Sequence, residues 1–479
     1  MGSNSASDME VSKKSLNITR SHHFHSDASK MLMRRSAFQA GLIPDCDSSR
    51  LVLCLEPEGV CFTALFGPSP PTHWNSDDFV LVDDDYVEDC RSEGSRLADI
   101  MRVEGSRFMV LDAGGGTVDL SSYEVGSTEP FRIKQLAAPT GGAYGSTQVD
   151  LNFLQFIRDL IGQEESKELA MRYELELKLL ERWEVAKLMF EDREGEELQV
   201  SDLSDLGVML GQRDKSLVSV VAHYNERCGQ EPPLLYVKGT SRLVLSRALV
   251  KSFFQPSLDM IVRCVADYCS NTKAGEATYL ILAGGYSKSP VLWHELRKNF
   301  KSKFEMLIVK NPDTAIVGGA VIFGAQHKDV ITHRVSPLSY GTQVLIRYDP
   351  GDPRHQLYRD HVRVDQEKAV WIPTFDVHVR AGDEVKVGHV STRRPSYPVY
   401  DYQTRIRRRV LSARHPDVWS PYEEGVTCIG EFITPVNMAV PLNKRRSETE
   451  IEFGGTELIC KCYDSSSGEA LGSHQVHLV

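Results

Sequence analysis

No glycine stands between Gly2 and Gly41, no two cysteines share a C-x-x-C spacing, and no apolar run approaches the thickness of a bilayer. Each absence excludes something. Without about 20 consecutive apolar residues there is no membrane-spanning helix to expect, and the N-terminus lacks the apolar core of a secretory signal. The ten cysteines are scattered, and Cys460 and Cys462 stand too close for a standard zinc knuckle. They read as buried or idle thiols of a reducing compartment, so the expected location is the cytoplasm, where the Asn17-Ile18-Thr19 sequon has no consequence. Positive charge is also short. A net charge of −11 argues against nucleic acid or an anionic membrane surface as partner. What is present is ordinary for a globular protein: 479 residues, 41% hydrophobic and 25% charged, enough for two or three domains with their own cores.

The rest of the chain is organised around Asp112-Ala113-Gly114-Gly115-Gly116-Thr117-Val118-Asp119. Apolar runs lead in, Phe108 to Leu111, and out, Leu120 to Val125, so the glycines are expected at the tip of a β-hairpin. Three consecutive glycines leave backbone N–H groups able to face an anion, and something phosphate-like is expected there. The two aspartates share the sign of a phosphate, so they make sense with a divalent cation or an attacking water between.

Taken in order, residues 1 to about 28 read as disordered, with His22, His23 and His25 in a solvated tail. A short helix from Ser29 to Ala40 is ended by Gly41, Leu51 to Leu55 is a buried strand, and Glu56-Pro57-Glu58 opens a helix through Phe66. Residues 67 to about 106, with Asp83-Asp84-Asp85, read as a solvated acidic insertion. Phe131 to Leu136 is a third strand. The loop Thr140 to Ser146, containing Gly145, enters a helix carrying Leu151, Leu154, Ile157 and Ile161 on one face, with Thr147 and Asp150 as its capping box. That loop is a second candidate phosphate cradle. A long helix from Ser166 to Glu191 follows, its core stripe read as Leu169, Tyr173, Leu177, Leu180, Trp183 and Leu188, then a helical stretch from Ser241 to Cys269. The strand Tyr279 to Ala283 ends in Gly284-Gly285, where a flat ligand can lie on the backbone, before a helix from Ser289-Pro290. Asn311-Pro312-Asp313 caps a helix whose Gly318, Gly319 and Gly324 imply close approach to another backbone. From Val330 onward, alternating runs indicate a β-rich domain, and the arginines 405 and 407 to 409 beside Tyr400 and Tyr402 read as a solvated strand rather than an RNA surface.

Three glycine loops in this order, each on the expected element, resemble the nucleotide-binding domain of the 70-kilodalton heat-shock proteins, an actin-like, ribonuclease H-like α/β fold. VLDAGGGTVDLSSYEV is similar to the family's second phosphate loop, LILAGGYSKSP to its adenosine loop and NPDTAIVGGAVIFGA to the helix after it. QAGLI, LVLCLEPEGV and RVSPLSYGTQVL further resemble the divergent heat shock 70 kDa protein 12 branch. The resemblance implies ATP or ADP with magnesium as ligands. By it, Gly114, Gly115, Gly116 and Thr117 would hold the β- and γ-phosphates, Asp112 a magnesium water, and Asp119 the attacking water. Gly145 would border the phosphates, and Glu184, Lys187, Gly284, Gly285, Tyr286, Lys288 and Asp313 the adenosine.

Departures from the family bound the expectation. Leu188 and Lys288 stand where arginines would clamp the base, no leucine-rich linker follows Gln326, and no helical lid follows the β domain. The glycine-free start means the first phosphate hairpin is absent, a loss of roughly 3 to 6 kcal/mol of binding. The expected architecture is a partial first lobe (29–106), a complete second lobe (107–328) and a β-rich domain (329–479) for protein partners, a shortened form of a longer protein. The expected function is an atypical ATP-binding, chaperone-like protein with weak hydrolysis. A non-catalytic scaffold with a decayed site is the alternative, and a sugar-kinase-like enzyme the third.

Overall fold

The computed structural model describes residues 16–20, 27–46, 48, 50–66, 79–81, 103–229, 232–309, 311–326, 329–365, 368–398, 400–453, 455 and 457–475. The histidines of the N-terminal tail and most of the acidic insertion lie outside them. Within the stretch read as disordered, β1 (Leu16–Arg20) pairs in parallel with β2 (Leu51–Leu55), and helix α1 (Asp27–Gln39) stops at Gly41, whose φ is +71°. Helix α2 (Glu56–Phe66) begins where β2 ends.

The main sheet forms because its central strands are apolar on both faces. β4 (Arg107–Ala113), β5 (Val118–Thr128) and β6 (Phe131–Gly142) run antiparallel, with the glycines at the first turn. β10 (Tyr279–Ala283) adds in parallel to β4, and β11 (Glu305–Val309) in parallel to β10. Beyond β6 lies β12 (Ile331–Val335), in parallel, and the two edges are β16 (Glu384–Lys386) and β3 (Phe79–Leu81). The order is β16-β12-β6-β5-β4-β10-β11-β3, so two strands from beyond residue 329 extend this sheet.

Alternation divides the core. Met109, Leu111, Ala113, Val118 and Leu120 face one cluster, built with helices α3 (Thr147–Ile161), α4 (Gln163–Met171), α5 (Tyr173–Met189), α6 (Ser204–Gly211), α7 (Leu217–Cys228), α8 (Arg247–Asn271) and α9 (Pro290–Phe300). A small sheet of β7 (Glu197–Val200), β9 (Arg242–Ser246) and β8 (Leu235–Val237) completes it. Phe108, Val110, Tyr123, Val125 and Ile281 face the other cluster, covered by α2 and α10 (Ala315–Gln326). The glycines of α10 do press on a backbone: a Cβ on Gly319 would stand 1.6 Å from the carbonyl oxygen of Gly59 in α2.

Five helical expectations are corrected. Ser241 to Cys269 is not helical throughout, because Arg242–Ser246 pairs with β7 and β8 before α8 begins. The long helix breaks at Arg172 into α4 and α5. The buried apolar side chains of α4 and α5 are Leu169, Leu175, Leu179, Trp183 and Ala186, whereas Tyr173, Leu177 and Leu188 are exposed. On α3, Leu151 is exposed and Val149, Phe153 and Phe156 share the core with Leu154, Ile157 and Ile161. No side chain caps α3 at Ser146, and Asp150 serves elsewhere.

In the C-terminal region β13 (Ser339–Arg347) follows, then α11 (Pro353–Leu357), β14 (Arg363–Val364) and β15 (Val370–Val379). β19 (Arg405–Ala413) and β20 (Thr427–Pro435) complete a sheet of order β14-β15-β13-β19-β20. A second sheet orders β17 (His389–Val390), β21 (Ser447–Phe453), β22 (Ile459–Asp464) and β23 (Ala470–Gln475), with β18 (Arg394–Ser396) also on β21. Val379, Val410, Ile429 and Phe432 of the first sheet pack on Ile451, Phe453, Cys460 and Cys462 of the second, as in a sandwich. The arginine run does not form a basic stripe. Arg407 and Arg409 both meet Glu431, at 3.3 and 2.8 Å, and Arg408 is buried on Ser396 and Ser447.

Candidate functional site

The hairpin register sets Asp112 directly opposite Asp119. Both follow the alternation onto the α2 side of the sheet, and both are almost fully buried. There the first residue of α2, Glu56, hydrogen-bonds to the Asp112 carboxyl. Burial, then the charges of Glu56 and Asp119, then that bond hold Asp112 well above the usual carboxylate range. Two carboxyl groups so close disfavour full ionisation of both. Glu56 is the site residue that sequence reasoning missed. Its signal was there, an acidic residue at the junction of a buried strand and a helix, but it was read as helix-start chemistry alone. Among the described residues no group of three or more His, Cys, Asp or Glu side chains is arranged as a metal-holding set.

At the tip, the Gly114 amide donates to the Thr117 carbonyl at 2.9 Å and closes the turn. The amides of Gly115 and Gly116 have no acceptor among the described residues, and a Cβ on Gly116 would meet nothing within 4 Å. The second candidate cradle is differently disposed. The amides of Gly145, Ser146 and Thr147 donate to the carbonyls of Gly116, Gly114 and Gly115 at 3.4, 3.2 and 2.8 Å. The α3 N-terminus thus holds the first loop. Gly145 makes that possible, since a Cβ there would lie 2.3 Å from the Gly115 oxygen.

The double-glycine turn after β10 comes to the same place. Gly284, at φ +81°, would put a Cβ 2.3 Å from the Ala113 oxygen and 2.5 Å from an Asp112 carboxylate oxygen, so only glycine fits. Its amide donates to the Pro312 carbonyl at 2.9 Å, which draws in the start of α10. Gly285 beside it is exposed, with open space where a Cβ would be. Lys288 bonds to Asp313 at 2.9 Å, and that bond holds the Asp313 carboxyl below its ordinary range. The Tyr286 ring is buried in the core near Phe254, leaving its backbone for any ligand contact. Glu184 and Lys187 are a turn apart on α5, but Lys187 is buried, bonded to Asp150 at 2.7 Å and to Glu184 at 2.5 Å. Asp150 also accepts from the Trp183 indole at 2.9 Å. The structure therefore brings Asp112, Asp119, Gly114 to Thr117, Gly145 and Gly284 into direct contact. The α5 pair is tied to its own lobe.

No family model matches the chain. It is 26% identical over 479 residues to heat shock 70 kDa protein 12A of Homo sapiens, an alignment covering 92% of this chain and 67% of that protein. Heat shock 70 kDa protein 12B of Homo sapiens is 25% identical, with the same two coverages. Chaperone protein DnaK 3 of Synechococcus is 26% identical over 246 residues, half of this chain and 34% of that one. The mixed α/β architecture, with its antiparallel strands β4 to β6 continued by parallel β10 and β11, is consistent with the actin-like fold those motifs led us to expect. Similarity to these homologues over 92% of the chain supports the resemblance to the divergent 12A/12B-like branch of the heat shock 70 kDa protein family.

Proposed function

We propose that the chain binds ATP or ADP at the end of β4 and β5, hydrolyses ATP weakly, and engages a protein partner through its β-rich region in the cytoplasm. One observation carries the reading: the exposed Gly115 and Gly116 amides have no acceptor among the described residues, beside a buried carboxyl pair. Such a turn cradles phosphate oxygens, with Gly114 and Thr117 fixing its shape. Asp112 and Glu56 are the residues that would hold magnesium through water, and the repulsion between them is what a cation relieves. Bound magnesium supplies positive charge that neutralises the phosphates. Asp119, opposite Asp112, orients a water for in-line attack. The backbone of Gly284, Gly285 and Tyr286 offers a flat floor for the nucleoside, with Lys288 and Asp313 at its rim. Free thiols among the described cysteines agree with a reducing compartment.

The experiment is thermal unfolding of the full chain with and without magnesium-ATP, beside Gly116→Ala. A ligand at a hundred times its Kd adds about 2.7 kcal/mol of stability. The wild type should shift and Gly116→Ala should melt alike without ligand but shift much less. No shift in the wild type at millimolar magnesium-ATP would remove the reading. The scaffold alternative then stands, favoured by the Lys187 amine being held by Asp150 and by the raised Asp112 acid.

A further inference from the structure

The first turn of α2 carries three attachments, and they lie on different sides of the helix. Glu56 meets Asp112 on β4. Glu58 is fully buried and pairs with Arg334 of β12, the guanidinium gripping both carboxylate oxygens at 2.8 and 2.9 Å. Gly59 lies backbone to backbone against α10, where a Cβ on Gly59 would be 2.7 Å from the Ile316 oxygen. β4 and β12 are separated by β5 and β6, a span of about 14 Å at ordinary strand spacing. The glycine contact fixes where the helix axis lies. The two glycine surfaces offer no side chain to resist turning; Phe62 against Phe323 and the Thr63 hydroxyl on the Ala315 carbonyl resist it nearly two turns beyond Glu56, and close to Glu56 the resistance comes from Glu58. A bidentate guanidinium–carboxylate pair is directional, and it resists that rotation.

We propose that the Arg334–Glu58 pair is a positioning device that sets the rotation of α2 and so holds Glu56 against Asp112. Arg334 is not a catalytic residue; it acts through Glu58 and the helix. The consequence is that a strand at the head of the β-rich region belongs to the phosphate site. β12 is held in turn by β16, whose Val385 is packed in the sandwich core, and by the Val335 amide on Gln135. Movement of the sandwich relative to the main sheet would reach Glu56 through this pair. The nucleotide side of the proposal rests on the function proposed above, and the placement of Glu56 does not.

Removing one partner would leave a buried charge and unfold the chain for a trivial reason, so the informative variant replaces both: Glu58→Met with Arg334→Met. The first measurement needs no nucleotide. Melting temperatures are recorded for the wild type, Glu56→Gln, the double variant, and the triple combination. If the pair positions Glu56, Glu56→Gln changes melting in the wild-type background and has no effect in the double variant. Equal effects in both backgrounds would overturn the proposal. The second measurement is the magnesium-ATP shift: the double variant should need at least tenfold more ligand for the same shift, and the charge-reversed pair Glu58→Arg with Arg334→Glu should restore some of it. Unchanged ATP dependence in the double variant would also overturn it. A wild type that ignores ATP defeats the nucleotide reading alone, and the melting cycle still decides whether the pair positions Glu56.

Discussion

Gly116 and Gly284 border the same site under opposite constraints. A methyl group on Gly116 enters open space, while on Gly284 it would meet the Ala113 oxygen at a backbone angle that side chains avoid. Gly284→Ala should therefore cost about 2 kcal/mol or more in urea unfolding, and Gly116→Ala should cost almost nothing. Equal losses would mean that the tip glycines serve folding rather than a ligand. A second residue reports on the sandwich. His378 donates to or accepts from Ser391 at 2.9 Å and Thr342 at 3.3 Å, and burial, then the Arg394 charge, lower its pKa to about 4. The unfolded histidine titrates near 6.5, so its neutral form stabilises the fold fully above that pH, and the contribution is lost as pH falls toward 4. The loss should reach roughly 2 to 3 kcal/mol, visible as a falling urea midpoint between pH 6.5 and 4 that is blunted in His378→Gln. At this scale the sequence was legible where chemistry is local: Asp112 and Asp119 flank the glycines that betray them. Glu56 was not, because its meaning comes from a strand some fifty positions away.

For elements, the apolar pattern announced most strands and the close packing of α10, but not which side of a helix is covered. Tyr173, Leu177 and Leu188 repeat at helical spacing, and so do Leu175, Leu179, Trp183 and Ala186. The break at Arg172 and the docking of Trp183 on Phe153, stacked at 4.4 Å, select the second set. Periodicity cannot choose between two stripes when both are apolar, because the choice is made by what lies opposite. Likewise Arg242–Ser246 became strand through pairing with distant partners, overriding a run that suits a helix. The contact of α2 with α10 gives a sharper test. Gly319→Ala must push the two helix backbones apart, and we expect a loss of roughly 2 to 3 kcal/mol, larger than at Gly318, where the added atom meets only the Thr63 hydroxyl at 3.3 Å. A smaller loss at Gly319 than at Gly318 would contradict this packing.

For the molecule as a whole, the change of character near residue 330 was plain in the sequence, and the continuation of the main sheet across it was not. Strand neighbours are chosen by pairing over long separations, which leaves no local trace. The consequence can be tested by cutting. A chain ending at residue 328 bares the open side of β6 and strips Glu58 of its arginine. It should lose cooperative unfolding in calorimetry and aggregate, whereas a cooperative melt at the wild-type midpoint would show that the main sheet closes without β12. A further long-range tie joins α1 to the second sheet of the sandwich. Arg34 of α1 bonds to Glu457, just before β22, at 2.8 and 2.5 Å, and also to the carbonyls of Ser48 and Leu51. If the molecule is pulled by handles at residues 27 and 457, the load falls on this clasp before it reaches either of the large sheets. Its rupture would release a short first extension, with the main sheet and the sandwich still folded behind it.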